Sequence, residues 1–377
     1  MKIQRIEHFL VPPRWVFVRI ETENAVGWGE ASLEGNGAAV CSAIDTLAQR
    51  LVGQDARRIE DCWQVGYRGG FYRGGPVLMS ALSGIDQALW DLKGQHHGMP
   101  AYEMLGGAVR DRVKAYAWIG GDKPQDVSSA ARDRRKQGFT AVKMNATSEV
   151  GLVDFGEFDD VVERVEAVQA EGLSVGIDFH GRLSKAAALR LAKRLDDCGA
   201  MFFEEPVLSE NGDALARIAG QVSTPIALGE RLYSRWDFKP FFENGTIDIA
   251  QPDLSHAGGL SECRRIAAMA EAYDVAVAPH CPLGPLALGA CLQLAACASN
   301  VVLQEMSLGI HYNQGHDLHS FMRDPKVLTP VEGYLPIPSG PGLGIAINEE
   351  GVRAAAREPH RWQNPIWRHA DGSFAEW

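Results

Sequence analysis

The chain has 377 residues, of which 46% are hydrophobic and 23% charged, with a formal net charge of −11. This length makes about two domains the starting expectation, and the apolar content supports a large core without a compositionally disordered stretch. The negative balance argues against nucleic acid or an anionic membrane surface as partner.

No apolar run reaches the ~18 residues of a membrane span. The first residues, Met1-Lys-Ile-Gln-Arg-Ile-Glu, run into a strand rather than into the apolar core of a signal peptide. Seven Cys without a CxxC pattern read as reduced thiols of a cytoplasmic protein.

Residues 1–112 read as an α+β region. Strand-like runs at 15–22 and 25–30 flank a hairpin turn at 22–24. From Gly37, the spacing of Val40, Ile44, Leu47 and Leu51 predicts an amphipathic helix, and the apolar side of 79–93 predicts another. Between them, 67–76 contains four Gly, two Arg and three aromatic residues. Its composition suits either a loop closing over a ligand or a turn-rich connector.

From Val113 the pattern changes to strand followed by helix, repeated. Strand runs fall at 113–118, 141–145, 175–178, 201–204, 226–230, 247–251, 275–280 and 301–305, with helical patterns such as 186–195, 260–272 and 285–298 between them. Eight such steps over 113–328 predict an α/β fold, a (β/α)8-type barrel. A doubly wound open sheet is the alternative, but nothing resembling GxGxxG follows an early strand. The Pro- and Gly-rich 329–377 is expected to pack back on the N-terminal region, so that both chain ends build one α+β cap.

Three acids close strand runs at equal intervals: Asp178, Glu204 26 residues later, and Glu230 26 residues after that. A period of this size is one β-α unit per step, placing three carboxylates at the C-terminal ends of neighbouring strands. Any one alone suits a helix cap or a solvated loop. Three converging carboxylates repel one another unless a hard cation lies between them, and Mg2+ takes oxygen ligands in this way.

Four more polar residues fall at strand ends. His180 lies two residues beyond Asp178, so both side chains share a side if the strand continues. Asp253 follows the sixth run, His280 ends the seventh 27 residues later, and Glu305 ends the eighth. A carboxylate beside an imidazole fixes its tautomer and raises the basicity of the other nitrogen. Taken singly, the histidines read as structural, Asp253 as a helix cap and Glu305 as an ion-pair partner; their shared place at the active face of a barrel favours chemistry. His256 is assigned a structural role and Cys281 a packing one. Glu205 is expected to pair with a neighbouring strand or helix, and His311, His316 and His319 follow no ligand pattern.

These motifs resemble the enolase superfamily, mandelate racemase subgroup. The resemblance is carried by Pro12-Pro-Arg-Trp, Phe71-Tyr-Arg-Gly-Gly-Pro, Asp86-Gln-Ala-Leu-Trp-Asp, Asp178-Phe-His-Gly-Arg and Phe203-Glu-Glu-Pro-Val-Leu. Gly229-Glu-Arg, Gln251-Pro-Asp-Leu-Ser-His-Ala-Gly-Gly, Ala278-Pro-His-Cys-Pro-Leu-Gly-Pro and the closing Trp367-Arg-His with Ala375-Glu-Trp extend it over the chain. It implies a modified TIM barrel under a capping domain and Mg2+ held by Asp178, Glu204 and Glu230. Superfamily sites of this kind combine Mg2+ with a His or Lys base that forms an ene-diolate.

The resemblance further implies that His280, oriented by Asp253, removes the C2 proton of a sugar acid, with D-galactonate expected first. His180 would protonate the leaving 3-hydroxyl and Glu305 would hydrogen-bond the developing carboxylate charge. Lys143, Asn145 and Arg14 are the expected substrate contacts, with specificity in the loops near Arg14 and Arg73. Where many racemases of the subgroup carry a second Lys base, this chain has Asn145, which disfavours two-sided racemisation. A homo-oligomer is implied as well. Two alternatives stay open: dehydration of a different sugar acid, and a non-catalytic sugar-acid-binding protein.

Overall fold

Near the N-terminus, strands β1 (Arg5–Val11), β2 (Trp15–Glu21) and β3 (Val26–Glu30) form an antiparallel sheet in that order. The computed structural model describes every residue except 122, 148–157, 311, 312, 314 and 377, so His311 and Trp377 lie outside the described residues. β2 is apolar on both faces because both are covered. Val16, Val18 and Ile20 pack with helices α1 (Gly37–Leu51), α2 (Ile59–Arg68) and α3 (Pro76–His97). Trp15 and Phe17 point the other way, onto Phe321, with ring centroids 6.1 and 5.8 Å away.

Gly27 and Gly29 let α3 lie directly against β3. A Cβ added at either would stand 2.2 Å from a backbone oxygen of α3, that of Ala88 or Gly84. The polar groups of α3 then join this region to the rest. Asp86 accepts from Ser261 N and Oγ at 2.9 and 2.6 Å, and Gln87 donates to Leu254 O at 2.9 Å. Burial pushes Asp86 up to about 7, against the bonds from Ser261.

The larger part is a ring of parallel strands: β4 (Arg112–Ile119), β5 (Ala141–Asn145), β6 (Ser174–Asp178), β7 (Phe203–Glu204), β8 (Ile226–Leu228), β9 (Ile249–Ala250), β10 (Ala276–Val277) and β11 (Gln304–Met306). β11 pairs with β4, and the other end closes where Val277 N donates to Asn300 O and Val302 N donates to Val277 O, at 2.8 and 2.9 Å. Successive residues alternate between the outer helices and an inner cluster that includes Tyr116, Ala141, Phe202 and Ala227.

Seven helices follow the first seven strands: α4 (Pro124–Lys136), α5 (Asp159–Ala170), α6 (Lys185–Leu195), α7 (Gly212–Ala219), α8 (Arg235–Glu243), α9 (Gly259–Ala272) and α10 (Pro285–Cys297). After β11 the eighth helix is missing among the described residues. A short 3-10 turn at Pro325–Leu328 and strand β12 (Tyr334–Pro336), antiparallel to β4, take its place. This segment is interrupted by Gly and Pro, which disfavour a helix interior.

The chain then returns to its beginning. α11 (Glu349–Ala355) sets Arg353 against Glu7 at 3.1 Å and over the Phe9 ring, and His360 hydrogen-bonds Pro13 O. A last hairpin, β13 (Trp367–Arg368) and β14 (Phe374–Ala375), lies over the open end of the ring, where its residues wall the cavity described below.

Candidate active site

Strand register brings the acids together. Asn145 on β5 is level with Asp178 on β6, which is level with Glu204 on β7. Glu230 follows β8 through Gly229, where an added Cβ would stand 2.6 Å from the Gln251 carbonyl carbon. Only a residue without a side chain lets the backbones pass this closely.

Lys143 Nζ stands inside this group, 3.2 Å from Asp178, 2.8 Å from Glu204 and 3.0 Å from Glu305. Burial alone would lower its pKa, but the Glu204, Glu305 and Asp178 carboxylates hold it well above the usual lysine value. Glu204 also accepts from Gln251 Nε2 at 2.8 Å. Burial, with Asp178, Glu305 and Glu230 nearby, still pushes Glu204 up to about 8.

His280 is fixed from two sides. Its Nδ1 is 2.8 Å from Asp253 Oδ2 and its Nε2 2.9 Å from Glu230 Oε2. Both nitrogens therefore face carboxylates, an arrangement that suits the imidazolium. Burial works against the charge, but Glu230, Glu305 and Asp253 outweigh it and hold the pKa well above the usual histidine value. Asp253 is anchored in turn by Ser255 N at 2.6 Å.

The segment after His280 is tied to the N-terminal region. Glu30 accepts from Gly284 N and Ala287 N at 2.8 and 3.0 Å, at the start of α10. Burial pushes Glu30 up to about 7 in spite of these bonds. Arg14 donates to Pro282 O at 2.9 Å and pairs with Glu34. Glu305 Oε2 accepts from Cys281 N at 2.9 Å.

His180 reaches the site differently from the expected extended strand. β6 ends at Asp178, and His180 takes a left-handed backbone, φ +51°. Its N donates to Asp178 Oδ1 at 2.9 Å, its Nε2 lies 3.2 Å from Asp178 Oδ2, and its buried Nδ1 has no hydrogen-bond partner among the described residues. Burial holds its pKa below the usual value, against the pull of Asp178 and Glu230.

A cavity of about 970 Å3 opens over these groups. Asp178, Glu230, Glu305, His180, His280, Lys143 and Asn145 face it, whereas Glu204 and Asp253 stand behind its wall. Arg14 is buried behind the wall as well and braces the loop after His280. Arg73 lies by the Tyr67 ring, at a separate pocket in the N-terminal region. Among the loop residues 67–76, Pro76 alone reaches the main cavity, and Phe71 and Tyr72 are exposed.

Sequence reasoning missed part of the wall. Trp118 donates to Asn145 Oδ1 at 3.3 Å, and Arg182 lies under the Trp367 ring at 4.8 Å. Arg182, Arg231 and Trp367 all sit inside the motifs that carry the family resemblance, a signal that was available but unassigned. His256, read as structural, is 3.8 Å from Asp253 and hydrogen-bonds Ser32 O at 2.8 Å.

Asp178, Glu204 and Glu230 offer carboxylate oxygens only, and Asp178 Oδ2 is buried without a hydrogen bond among the described residues. In chemistry this donor set suits a hard divalent cation such as Mg2+, although among the described residues the oxygens of the three acids do not all lie within 4.8 Å of one another and Lys143 Nζ contacts both Asp178 and Glu204. Asp253, His256 and His280 bring one donor atom each within 4.8 Å of one another. There, however, the His280 Nδ1 contact to Asp253 already accounts for two of the donors, so the group reads as a network that orients an imidazole.

Two family models match: residues 10–106 fit the mandelate racemase / muconate lactonizing enzyme N-terminal domain, and 126–351 the enolase C-terminal domain-like family. Among curated proteins, the chain is 51% identical to a D-galactonate dehydratase of Ralstonia nicotianae and 50% to one of Cronobacter sakazakii, each over 100% of both chains. Among solved structures, an enolase from Agrobacterium radiobacter with sodium and L-malate bound superposes with a TM-score of 0.91 at 30% identity, covering 100% of both chains. A mandelate racemase/muconate lactonizing enzyme from a Sulfitobacter species gives 0.87 at 26% identity, covering 97% of this chain and 98% of that one. With both halves matched and full-length relatives at half identity, the chain belongs to the enolase superfamily, in its mandelate racemase subgroup.

Proposed function

We propose that the protein is a Mg2+-dependent hydro-lyase that converts a sugar acid, D-galactonate first, to the 2-dehydro-3-deoxy acid and water. The observation that carries this reading is the placing of two imidazoles, His180 and His280, at one cavity beside a carboxylate cage. The names of the full-length relatives support the same substrate.

Asp178, Glu204 and Glu230 hold the cation. When bound, Mg2+ supplies a fixed positive charge that favours the substrate carboxylate as it takes up a second negative charge. With Glu230 engaged as a metal ligand rather than by His280, the neutral imidazole of His280 removes the C2 proton at Nε2 while Asp253 holds Nδ1–H and so fixes the ring. His180 delivers a proton to the departing 3-hydroxyl. Glu305, held by Cys281 N and Lys143, lies where it can hydrogen-bond the charge developing on the carboxylate. The resulting enol tautomerises to the 2-keto acid. Asn145 faces the same cavity as a substrate contact, Lys143 holds the carboxylates in place, and Arg14 serves by bracing the loop after His280.

The same reading takes 1–112 and 329–377 as the cap and 113–328 as the barrel, and carries a cytoplasmic, homo-oligomeric protein with it. Among the described residues, no helix is long and apolar enough to cross a membrane.

The test is Mg2+-dependent 2-keto acid formation from D-galactonate beside its diastereomers, with one variant. His180→Asn is expected to lose dehydration while still exchanging the C2 proton with solvent. Turnover of another acid alone would move the substrate and keep the chemistry. Mg2+ binding without turnover of any acid would leave the non-catalytic binding protein.

A further inference from the structure

Behind His180 lies an ion pair that the mechanism above does not use. Glu205 also has a left-handed backbone, φ +44°, and its carboxylate is buried with no hydrogen bond to either oxygen among the described residues. Its ion-pair partner is Arg231, with Nε 3.3 Å from Oε2. The same guanidinium lies 3.5 Å from Glu230 Oε1 and donates from Nη2 to the His180 carbonyl at 3.3 Å. Glu205 O accepts from Gly181 N at 2.8 Å, so the residues on both sides of the His180–Gly181 peptide are held.

A non-glycine residue in the left-handed region persists only where its surroundings over-determine it, and such residues concentrate at functional sites. Among the described residues nothing hydrogen-bonds His180 Nδ1, as Asp253 does that of His280, and its Nε2 contact is Asp178, an expected metal ligand. Its direction is therefore set through its backbone.

We propose that Glu205 and Arg231 are the positioning pair of His180: Glu205 fixes the guanidinium, and the guanidinium fixes the His180 carbonyl and hence the direction of the imidazole. Neither residue touches the reacting atoms in this role. The inference rests on the reading of His180 as the acid.

The experiment measures three quantities on the Mg2+-loaded enzyme: dehydration, solvent exchange of the C2 proton, and Mg2+ affinity by calorimetry. Glu205→Gln and Arg231→Lys are compared with His180→Asn and wild type, with folding followed by thermal melting. Loss of an orienting partner typically costs about 10- to 100-fold in activity. Glu205→Gln is expected to lose that much dehydration with exchange and Mg2+ affinity close to wild type. Arg231→Lys, which keeps the charge but not the planar fork, is expected to lose less. An equal fall in exchange and dehydration, a fall in Mg2+ affinity that accounts for the loss, or full dehydration in Glu205→Gln would overturn the pair. If Glu205→Gln does not fold, Arg231→Lys decides alone by the same split. If His180→Asn itself fails to separate exchange from dehydration, the acid assignment fails instead, and the two failures are told apart.

Discussion

The two histidines line one cavity and are held by different means. His280 is buried, has a carboxylate at each ring nitrogen, and sits on a segment bound to the N-terminal sheet through Glu30 and Arg14. His180 is more open, is aimed by a left-handed backbone, and depends on groups of its own barrel. A base that must remove a weakly acidic C–H proton gains from a fixed tautomer and raised basicity. An acid that gives up its proton needs direction toward the leaving group, and the backbone of His180 supplies it.

The comparison can be broken at its base first. His280→Asn is expected to remove exchange and dehydration together, by about 10^2- to 10^4-fold as for a lost general base; NMR of the C2 proton in deuterated buffer measures the first and a 2-keto acid assay the second. Next in size, Glu30→Gln reverses one hydrogen bond at the start of α10. It is expected to cost about 1–3 kcal/mol of stability and to lower exchange and dehydration in parallel, unlike Glu205→Gln; urea melts and the same two assays check it. A dehydration-only loss in Glu30→Gln would break the link between the N-terminal sheet and the base.

Gly29→Ala tests the seam further from the chemistry. Its Cβ has to displace the backbone of α3, at about 1–3 kcal/mol, read as a lower urea midpoint with the ratio of exchange to dehydration unchanged.

The smallest effect expected is a change of slope with pH. Burial raises Asp86 from its ordinary value of 3.8 to about 7. Below its unfolded pKa the group is protonated in both states and its contribution to stability is greatest. As pH rises the unfolded chain loses the proton first, so stability falls until the folded pKa is passed, at about 7. The melting temperature of wild type should therefore decline between about pH 4 and 7 more steeply than that of Asp86→Asn, which can meet Ser261 at both atoms with one bond reversed. Equal slopes would assign the decline to other groups.

Much of this arrangement is legible in the residues. The 26-residue spacing of Asp178, Glu204 and Glu230 corresponds to strands that are neighbours in the ring, and the helical periods at 37, 79, 186, 260 and 285 correspond to α1, α3, α6, α9 and α10. What escaped is what no local pattern encodes. The period-two rule carried β6 on to residue 180, whereas Asp178 bonds back to the His180 N and turns the chain. The burial of Arg14 was not legible either, because its partners, Glu34, Pro282 and Asn313, are up to 299 residues away. The wall formed by residues 362–367 rests on tertiary packing of a segment with little regular structure of its own.

The bond from Glu30 to the start of α10 has a consequence for how such a protein can change over evolutionary time. Glu30, Ser32 and Glu34 belong to one short stretch that both walls the cavity and steadies the base, through Gly284, His256 and Arg14 respectively. A substitution there that widens substrate range also disturbs proton removal, so new specificity is accessible chiefly through paired changes on both sides of the seam. Loop grafting between relatives is then expected to succeed when 30–36 and 280–287 are exchanged as one unit.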